Sequence, residues 1–434
     1  MLRLCPLLSL ACCIPIAFGC ADDSTPLPPP ISPVTKVAET ETPKPAANSK
    51  AEFDWPQWQG PQSNGISQEK GWKIKWPDAG PSKLWQQNIG IGFSSMSVAK
   101  GKLYTLGHRD GQDTVWCFDA LTGKEIWKHS YACQIVDNLH EGGPAATPTV
   151  DGDRVYTISK EGHFLCFDAN SGQVKWSKSL QQELGVTMPE WGFSGSAVIL
   201  GESVLVEAGR LAAFNKLTGE VIWKTKAYRP GYGSPLVFQH LGKTMVATLN
   251  NDCLQVVQAH SGEQLTTFPW ETNFATTSTT PIWSAPYFFL SSGYDTGCAL
   301  LEWKEEKLQA VYQHKNMRNH MNNCVLWEGH LYGFDGNSHN RRNVNLTCLD
   351  FRTGEVKWKH RGLGCGSLMA AGGHLLILGD EGTLATAPIN SEKFEPISQA
   401  SILTGRCWTV PVLSNGLIYA RNAAGDLVCV DVRN

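Results

Sequence analysis

Five residues of this chain offer groups that can bind or transform a ligand: a carboxylate, a guanidinium, an imidazole and two large aromatic rings. They are Glu141, Tyr232, His320, Arg406 and Trp408. Each lies in or beside a short segment rich in Gly, Ser or Asn, and glycine permits tight turns and close backbone approach. Aromatic rings with a few polar groups suit a ligand pocket or a protein-binding face. The alternative is that these residues only satisfy turns and fill a channel.

The elements that must position these residues belong to a repeat of about 40 to 50 residues, each copy ending in a Trp. Full copies occupy residues 118–127, 167–176, 214–223 and 349–358. Each period has room for four strands separated by polar turns, which is typical of propeller blades. Residues 82–87 form an isolated fourth strand, and the last copy, 428–434, ends before its own. We therefore predict an all-β, eight-bladed β-propeller of four-stranded blades, whose ring is closed by an N-terminal strand.

The repeated residues themselves are predicted to be structural. Equal residues at equal positions of a ring are expected to form a packing girdle between blades, here Trp85, Trp127, Trp176, Trp223 and Trp358. The repeated Asp is expected to bond its own turn. Cysteines also recur, two residues before that Asp, and these are expected to be core residues because blades stand too far apart for disulfides. A bridge between Cys365 and Cys407 stays open, and no metal site is predicted because the chain has no Cys-x-x-Cys.

The repeat resembles the tryptophan-docking motif of the PQQ-like β-propeller family, over roughly residues 80–434 of this chain. Residues 54–61, Asp-Trp-Pro-Gln-Trp-Gln-Gly-Pro, resemble the N-terminal signature of its secreted bacterial members. That family contains quinoprotein alcohol dehydrogenases as well as outer-membrane assembly lipoproteins of the BamB type. The resemblance therefore implies either of two functions.

A dehydrogenase of this family would use PQQ and calcium, with a carboxylate base and a flat clamp on the quinone. Glu141, Asn319 and Arg406 are suitable residue types. The family's clamp, however, is a pair of adjacent cysteines, and the one adjacent pair here is Cys12-Cys13, near the N-terminus. We therefore predict a noncatalytic scaffold without a cofactor, and a periplasmic PQQ- and calcium-dependent alcohol or polyol dehydrogenase is the alternative.

The N-terminus predicts export. Arg3 precedes an apolar stretch, Leu4 to Phe18, and residues 16–20, Ile-Ala-Phe-Gly-Cys, resemble a bacterial lipobox with Ala17 where Leu is usual. We predict a signal peptide over 1–19, lipidation of Cys20, a Pro-rich tether over 20–50, a segment packing on the propeller over 51–81, and the propeller over 82–434. Simple secretion is the alternative to the lipid anchor.

The expected partner is an envelope protein or polysaccharide. The propeller is expected to be monomeric and to lie in the periplasm or cell envelope, at the outer membrane. The membrane would be contacted only through the lipid anchor. A net charge of −3 gives no reason to expect nucleic acid, whose phosphates require a basic face.

Overall fold

Alternating apolar and polar residues form eight sheets, each built on four antiparallel strands, and one of them gains a short fifth strand that pairs in parallel. The computed structural model describes residues 53–434, so the predicted signal peptide, Cys20 and the whole tether lie outside the described residues. The sheets are blades 1 to 8 of a ring, and the prediction of an eight-bladed propeller is confirmed. No helix in residues 53–434 is long and apolar enough to cross a membrane.

Two strands precede the first blade, Ile66–Ser67 (β1) and Ser82–Asn88 (β2). In blades 1 to 4 the strands follow one another along the chain from the inner to the outer edge. Their strands are Ser97–Ala99, Lys102–Arg109, Gln112–Asp119 and Glu125–Ala132 (β3–β6); Thr149–Asp151, Arg154–Ile158, His163–Asp168 and Val174–Ser179 (β7–β10); Val198–Leu200, Ser203–Glu207, Leu211–Asn215 and Val221–Lys224 (β11–β14); and Leu236–His240, Lys243–Leu249, Cys253–Gln258 and Gln264–Pro269 (β15–β18).

Blades 5 to 8 follow the same order, except that blade 8 has three strands from this part of the chain. Their strands are Ile282–Ser284, Tyr287–Ser292, Gly297–Lys304 and Lys307–His314 (β19–β22); Val325–Trp327, His330–Asp335, Asn345–Asp350 and Val356–Arg361 (β23–β26); Ser367–Ala371, His374–Leu378, Thr383–Pro388 and Ser398–Ser401 (β27–β30); and Val412–Ser414, Leu417–Arg421 and Asp426–Asp431 (β31–β33). The helical pieces are Leu180–Leu184 (α1) and the 3₁₀ turns Asn273–Ala275 and Ser338–Asn343.

Strand β2 completes blade 8 and closes the ring. It pairs antiparallel with β33, and Trp85 lies opposite Cys429. The first and last parts of the propeller therefore share one sheet, as the isolated Trp85 strand and the truncated last copy predict. Closure leaves the ring without a free end.

Neighbouring blades are docked by a tryptophan and a tyrosine that donate hydrogen bonds to one carbonyl of the next blade. Three such pairs are Trp85 and Tyr419 on Ala120, Trp127 and Tyr104 on Ala169, and Trp176 and Tyr156 on Lys216, all at 3.0–3.1 Å. The indole also packs on a turn glycine of the next blade. A Cβ on Gly172, for example, would lie 2.6 Å from the Trp127 ring, at a φ of +72°. The girdle is thus a set of interblade joints.

The repeated Asp closes its own turn, because the Asp168 carboxylate accepts the backbone N–H groups of Asn170 and Ser171, each at 3.0 Å. Blade 5 has no Trp at the joint position, and Tyr312 replaces it by donating its hydroxyl hydrogen to the Phe351 carbonyl at 3.0 Å. The ten cysteines of the described residues are all buried free thiols, so Cys365 and Cys407 are not bridged in this structure.

Residues 53–72 cross the end of the ring where each inner strand turns into the second strand. Trp55 exchanges two 2.8 Å backbone hydrogen bonds with Val98 of blade 1. Strand β1 pairs in parallel with the inner strand of blade 7, with Ile66 opposite Ala370. The Glu69 carboxylate is buried and accepts the backbone N–H of Gly416 in blade 8. This end of the central channel is therefore covered by the chain itself.

Candidate functional site

The opposite end of the ring is an open mouth bordered by eight connecting segments, one before each inner strand. We call them the mouth segments, and they are residues 92–95, 141–146, 191–195, 231–234, 276–280, 319–323, 364–366 and 406–409. The five candidate residues belong to four of them, 141–146, 231–234, 319–323 and 406–409. The segment of blade 5, Thr-Thr-Ser-Thr-Thr, was missed because it has neither a glycine nor an aromatic or imidazole side chain.

Below the mouth, hydrogen bonds of Ser, Thr and Asn side chains link every inner strand to the next around the whole ring. The bonded residues are Ser94 and Ala146 (2.8 Å), Thr147 and Ser196 (2.9 Å), Ser196 and Ser234 (2.9 Å), Ser234 and Thr280 (3.3 Å), Thr280 and Asn323 (2.6 Å), Asn322 and Gly366 (3.3 Å), Ser367 and Thr409 (2.9 Å), and Val410 and Ser95 (3.1 Å). Except for the half-buried Val410, these residues are buried. The side-chain groups in these bonds are used within the protein, whereas the buried Thr147 hydroxyl has no hydrogen-bond partner. A ligand at the mouth would therefore contact mainly the residues above this ring.

Three of the five candidate residues come together on one side of the mouth. The Arg406 guanidinium contacts the Glu141 carboxylate at 2.5 Å and lies 4.5 Å above the Trp408 ring. Trp408 in turn stacks on Phe93, with centroids 5.4 Å apart. His140 packs edge-on against Phe93, and burial lowers the pKa of His140 to about 4, so it is neutral at pH 7. The arrangement is a rigid aromatic and charge-paired cluster joining blades 8, 1 and 2.

A cleft of about 540 Å³ opens beside this cluster. Its wall includes Arg341, which pairs with Glu381 at 2.5 Å, and Asp380, whose carboxyl has a pKa raised by burial. The Trp408 indole nitrogen is buried without a hydrogen-bond partner. Arg341 and Arg406 are each paired with a carboxylate, and Arg342 is a third arginine in the wall, so the cleft is polar and carries charges of both signs. Sequence reasoning missed Arg341 and Asp380, because they lie between strands and outside the mouth segments.

The other two candidates lie elsewhere on the mouth. Tyr232 packs edge-on against Trp191, with centroids 5.8 Å apart. His320 is 5% exposed, packs on Tyr294 at 4.7 Å, and accepts the backbone N–H of Ser338. Burial lowers the pKa of His320 to about 4, so it is a neutral residue that supports the Ser338 turn. The five residues therefore do not converge on one ligand.

Two apolar residues of the mouth side were not identified from the sequence. Leu139 is 82% exposed and Phe274 is 70% exposed, and both have left-handed backbone, with φ of +65° and +64°. Non-glycine residues adopt this conformation at a cost of roughly 1–2 kcal/mol. They precede the mouth segments of blades 2 and 5, which are three blades apart. A sequence shows neither exposure nor φ, and an isolated Leu or Phe in a polar connection is ordinary.

The residues suggested from the sequence for a PQQ and calcium site make contacts within the protein. The Glu141 carboxylate is already paired with Arg406. The Asn319 amide is 2% exposed, and its nitrogen and oxygen bond Phe334 and Cys324, each at 3.0 Å. No two cysteines are adjacent within residues 53–434. The three residues that the sequence offered for a quinone and calcium site, Glu141, Asn319 and Arg406, are therefore engaged with other groups of the protein.

Residues 74–359 match the family model described as outer membrane protein assembly factor BamB. The chain belongs to this family. Its PQQ-like propeller resemblance is thereby confirmed.

Two curated BamB proteins are similar to this family member. The protein from Burkholderia pseudomallei (strain K96243) is 24% identical over 251 residues, which are 52% of this chain and 59% of the relative, so the match spans less than two thirds of that relative. The protein from Yersinia pestis is 23% identical over 361 residues, which are 80% of this chain and 77% of the relative.

Solved structures share the propeller fold at low identity. BamB from Moraxella catarrhalis has a TM-score of 0.58 at 14% identity, covering 81% of this chain and 98% of that chain. Quinohemoprotein alcohol dehydrogenase from Comamonas testosteroni has a TM-score of 0.67 at 12% identity, and the match covers 89% of this chain and 81% of that chain. Since both kinds of protein share the fold, the fold alone does not decide between the scaffold and the enzyme.

Proposed function

We propose that this protein is a noncatalytic propeller of the bacterial envelope that binds another protein of outer-membrane assembly through its mouth side. The family supports this assignment, because the matching relatives are described as outer membrane protein assembly factors. The cell envelope is the proposed location, and Cys20 the proposed lipid anchor.

The observation that carries the proposal is the strained, exposed pair Leu139 and Phe274. Backbone strain at an exposed apolar residue has no benefit for folding, so it points to a contact with a partner. Leu241 is a useful contrast, since it is 87% exposed with a φ of +48°. Leu241 and Gly242 form the two-residue turn between β15 and β16, and such a turn requires left-handed backbone. Neither Leu139 nor Phe274 lies in a two-residue hairpin, although Phe274 is the third residue of a turn that the Ala275 N–H closes on the Thr272 carbonyl at 3.3 Å.

The rest of the mouth suits a protein partner. Met188, Trp191 and Tyr232 belong to the connections between the segments of Leu139 and Phe274, and Met188 is 39% exposed. The charged cluster of Glu141 and Arg406 borders the other side. Large apolar side chains beside a polar, charge-paired rim are the usual composition of a protein-binding face.

The binding test compares glycine substitutions in the full, exported chain. Leu139→Gly with Phe274→Gly removes both apolar side chains and relieves their backbone, whereas Leu241→Gly makes the same change on the opposite rim. We expect capture of envelope proteins, measured by crosslinking and quantitative pull-down, to fall at least tenfold in the first variant and to be unchanged in the second. The melting temperature of the first variant should not fall.

Equal capture by both variants would contradict the proposal. Arg406→Ala with Trp408→Ala then tests the charged cluster as the binding face. Retained binding to isolated envelope polysaccharide, with no captured protein, would support the polysaccharide alternative.

The absence of catalysis is tested with purified protein, PQQ and Ca²⁺ in a dye-linked assay with short alcohols and polyols. We expect no turnover, because Glu141 is held by Arg406 and no adjacent cysteine pair is present. Turnover that disappears in Glu141→Gln would establish the dehydrogenase alternative instead.

The lipid anchor is tested by detergent phase partitioning. Wild-type protein should enter the detergent phase, and Cys20→Ala should either enter the aqueous phase or keep its signal peptide. Wild-type protein found only in the aqueous phase would establish simple secretion.

A further inference from the structure

A second polar site lies away from the mouth channel, in the joint between blades 1 and 2. Cys133 follows the outer strand of blade 1, while Glu161 and His163 lie at the turn between the second and third strands of blade 2. A sulfur, a carboxylate oxygen and an imidazole nitrogen from these three residues lie within 4.8 Å of one another. Within residues 53–434, no other group of His, Cys, Asp and Glu side chains converges in this way.

These three atoms are a suitable ligand set for zinc. Thiolate, imidazole and carboxylate bind Zn²⁺ at about 2.0–2.3 Å in tetrahedral geometry, so ligand atoms stand about 3.5 Å apart. A closing movement on the order of 1 Å would bring the three atoms into that geometry. The turn that carries two of them is already fixed, because Ser159 and His163 share a backbone hydrogen bond of 3.0 Å and Gly162 bonds Ser159 at 3.0 Å.

Buried polar groups without partners surround the same point. Asp113 is 1% exposed; one of its carboxylate oxygens contacts His108 at 2.8 Å, and the other has no hydrogen-bond partner. This carboxyl lies beside the Cys133 thiol. The Tyr131 hydroxyl is also buried without a partner, and its ring packs edge-on to His163 at 5.4 Å. Such groups are costly to bury, and a bound cation would offset that cost.

Ser159 can set the orientation of the imidazole. Its hydroxyl oxygen lies 3.0 Å from His163 Nδ1 and accepts the His163 backbone N–H, also at 3.0 Å. When Nδ1–H donates to this oxygen, Nε2 carries the lone pair that a metal needs. Metal-binding histidines are commonly held by a second hydrogen bond of this kind. Glu161 and His163 are half-buried, so a metal can enter from solvent and keep one water ligand.

We propose that Cys133, Glu161 and His163 form a zinc site that clips blade 1 to blade 2, supported by Asp113 and Ser159. The site does not depend on the function of the mouth, and it would stabilise the ring at one joint.

The test uses the full mature protein after removal of metal with a chelator. Zn²⁺ is titrated in competition with a chromogenic chelator, and Co²⁺ is added as a spectroscopic probe. We expect one equivalent of Zn²⁺ to bind, and Co²⁺ to give the near-ultraviolet charge-transfer band of a thiolate ligand. Zinc affinity should fall at least 100-fold in Cys133→Ser and in His163→Ala, and 10- to 100-fold in Asp113→Asn.

Cys166→Ser is the matched control, because Cys166 is a buried thiol on the same strand of blade 2 as His163 but outside the site. Its zinc affinity should equal that of wild type. Zinc should also raise the melting temperature of wild type and of this control. Absence of stoichiometric uptake, an unchanged affinity in His163→Ala, or a Co²⁺ spectrum without the thiolate band would overturn the proposal. His163 is half-buried, so that variant remains informative if Cys133→Ser does not fold.

Discussion

Replacing Trp176 by Ala should loosen one joint of the ring by an amount that the structure allows us to work out. Trp176 is 8% exposed and packs between blades 2 and 3, where its indole nitrogen donates to the Lys216 carbonyl at 3.1 Å. A buried Trp removes about 200 Å² from water, which is worth about 5 kcal/mol at 25 cal/mol per Å². The alanine side chain still contributes a small part of this burial free energy. The Lys216 carbonyl still accepts from Tyr156 at 3.0 Å, so it is not left without a partner.

We therefore expect a loss of about 4 kcal/mol in the free energy of unfolding, within the range of about 3–5 kcal/mol for buried aromatic truncations. Since the unfolding entropy is about 2.1 cal/mol/K per residue, the roughly 380 described residues give about 0.8 kcal/mol/K, and the melting temperature should fall by about 5 °C. Differential scanning calorimetry measures this directly.

Trp191→Ala is the control for this prediction. Trp191 is half-buried at the mouth, outside the repeated Trp position, and packs edge-on against Tyr232 of the next blade at 5.8 Å. Its truncation should lower the free energy of unfolding by about 1 kcal/mol and the melting temperature by about 1–2 °C. Equal decreases in melting temperature for the two variants would refute the conclusion that the repeated Trp forms the joints between blades.

Three further predictions concern closure, acidity and the substituted joint. Deleting residues 53–90 removes β2 and exposes an edge of blade 8, so the product should aggregate. Size-exclusion chromatography measures this, and a stable monomer would argue against closure of the ring by β2. Glu207 is 4% exposed, and burial raises its pKa to about 7. The free energy of unfolding of wild type should therefore fall as the pH rises from about 4.5 to 7, by on the order of 3 kcal/mol relative to Glu207→Gln. The same difference in melting temperature between the two proteins at pH 4.5 and at pH 8 would contradict this. Tyr312→Phe should lower the free energy of unfolding by about 1 kcal/mol, because the Phe351 carbonyl loses its hydroxyl donor. An unchanged denaturant midpoint would show that this hydroxyl does not hold the joint together.

The repeat period, the blade and the closure of the ring were all determined by the sequence. This is possible because the turn chemistry is local: an Asp that accepts N–H groups two and three residues ahead, a Gly with positive φ and a Trp after it occur within ten residues. The four full copies repeat this local turn, with Asn215 in place of the Asp in one of them. The truncated last copy lacks a fourth strand, and the Trp85 strand has no blade of its own. Their pairing therefore follows from the number of strands in each blade.

Only the tertiary structure decided which residues meet. Glu141 and Arg406 are 265 positions apart, and they touch because closure places blade 8 beside blade 1, near the start of blade 2. His320 has the residue type of a ligand, but Tyr294 and the Ser338 turn enclose it. Leu139 and Phe274, and the group formed by Cys133, Glu161 and His163, have no periodic signal at all. The physical reason is that periodicity describes what each blade shares, whereas binding sites arise from the residues that differ between blades and meet only after the ring has closed.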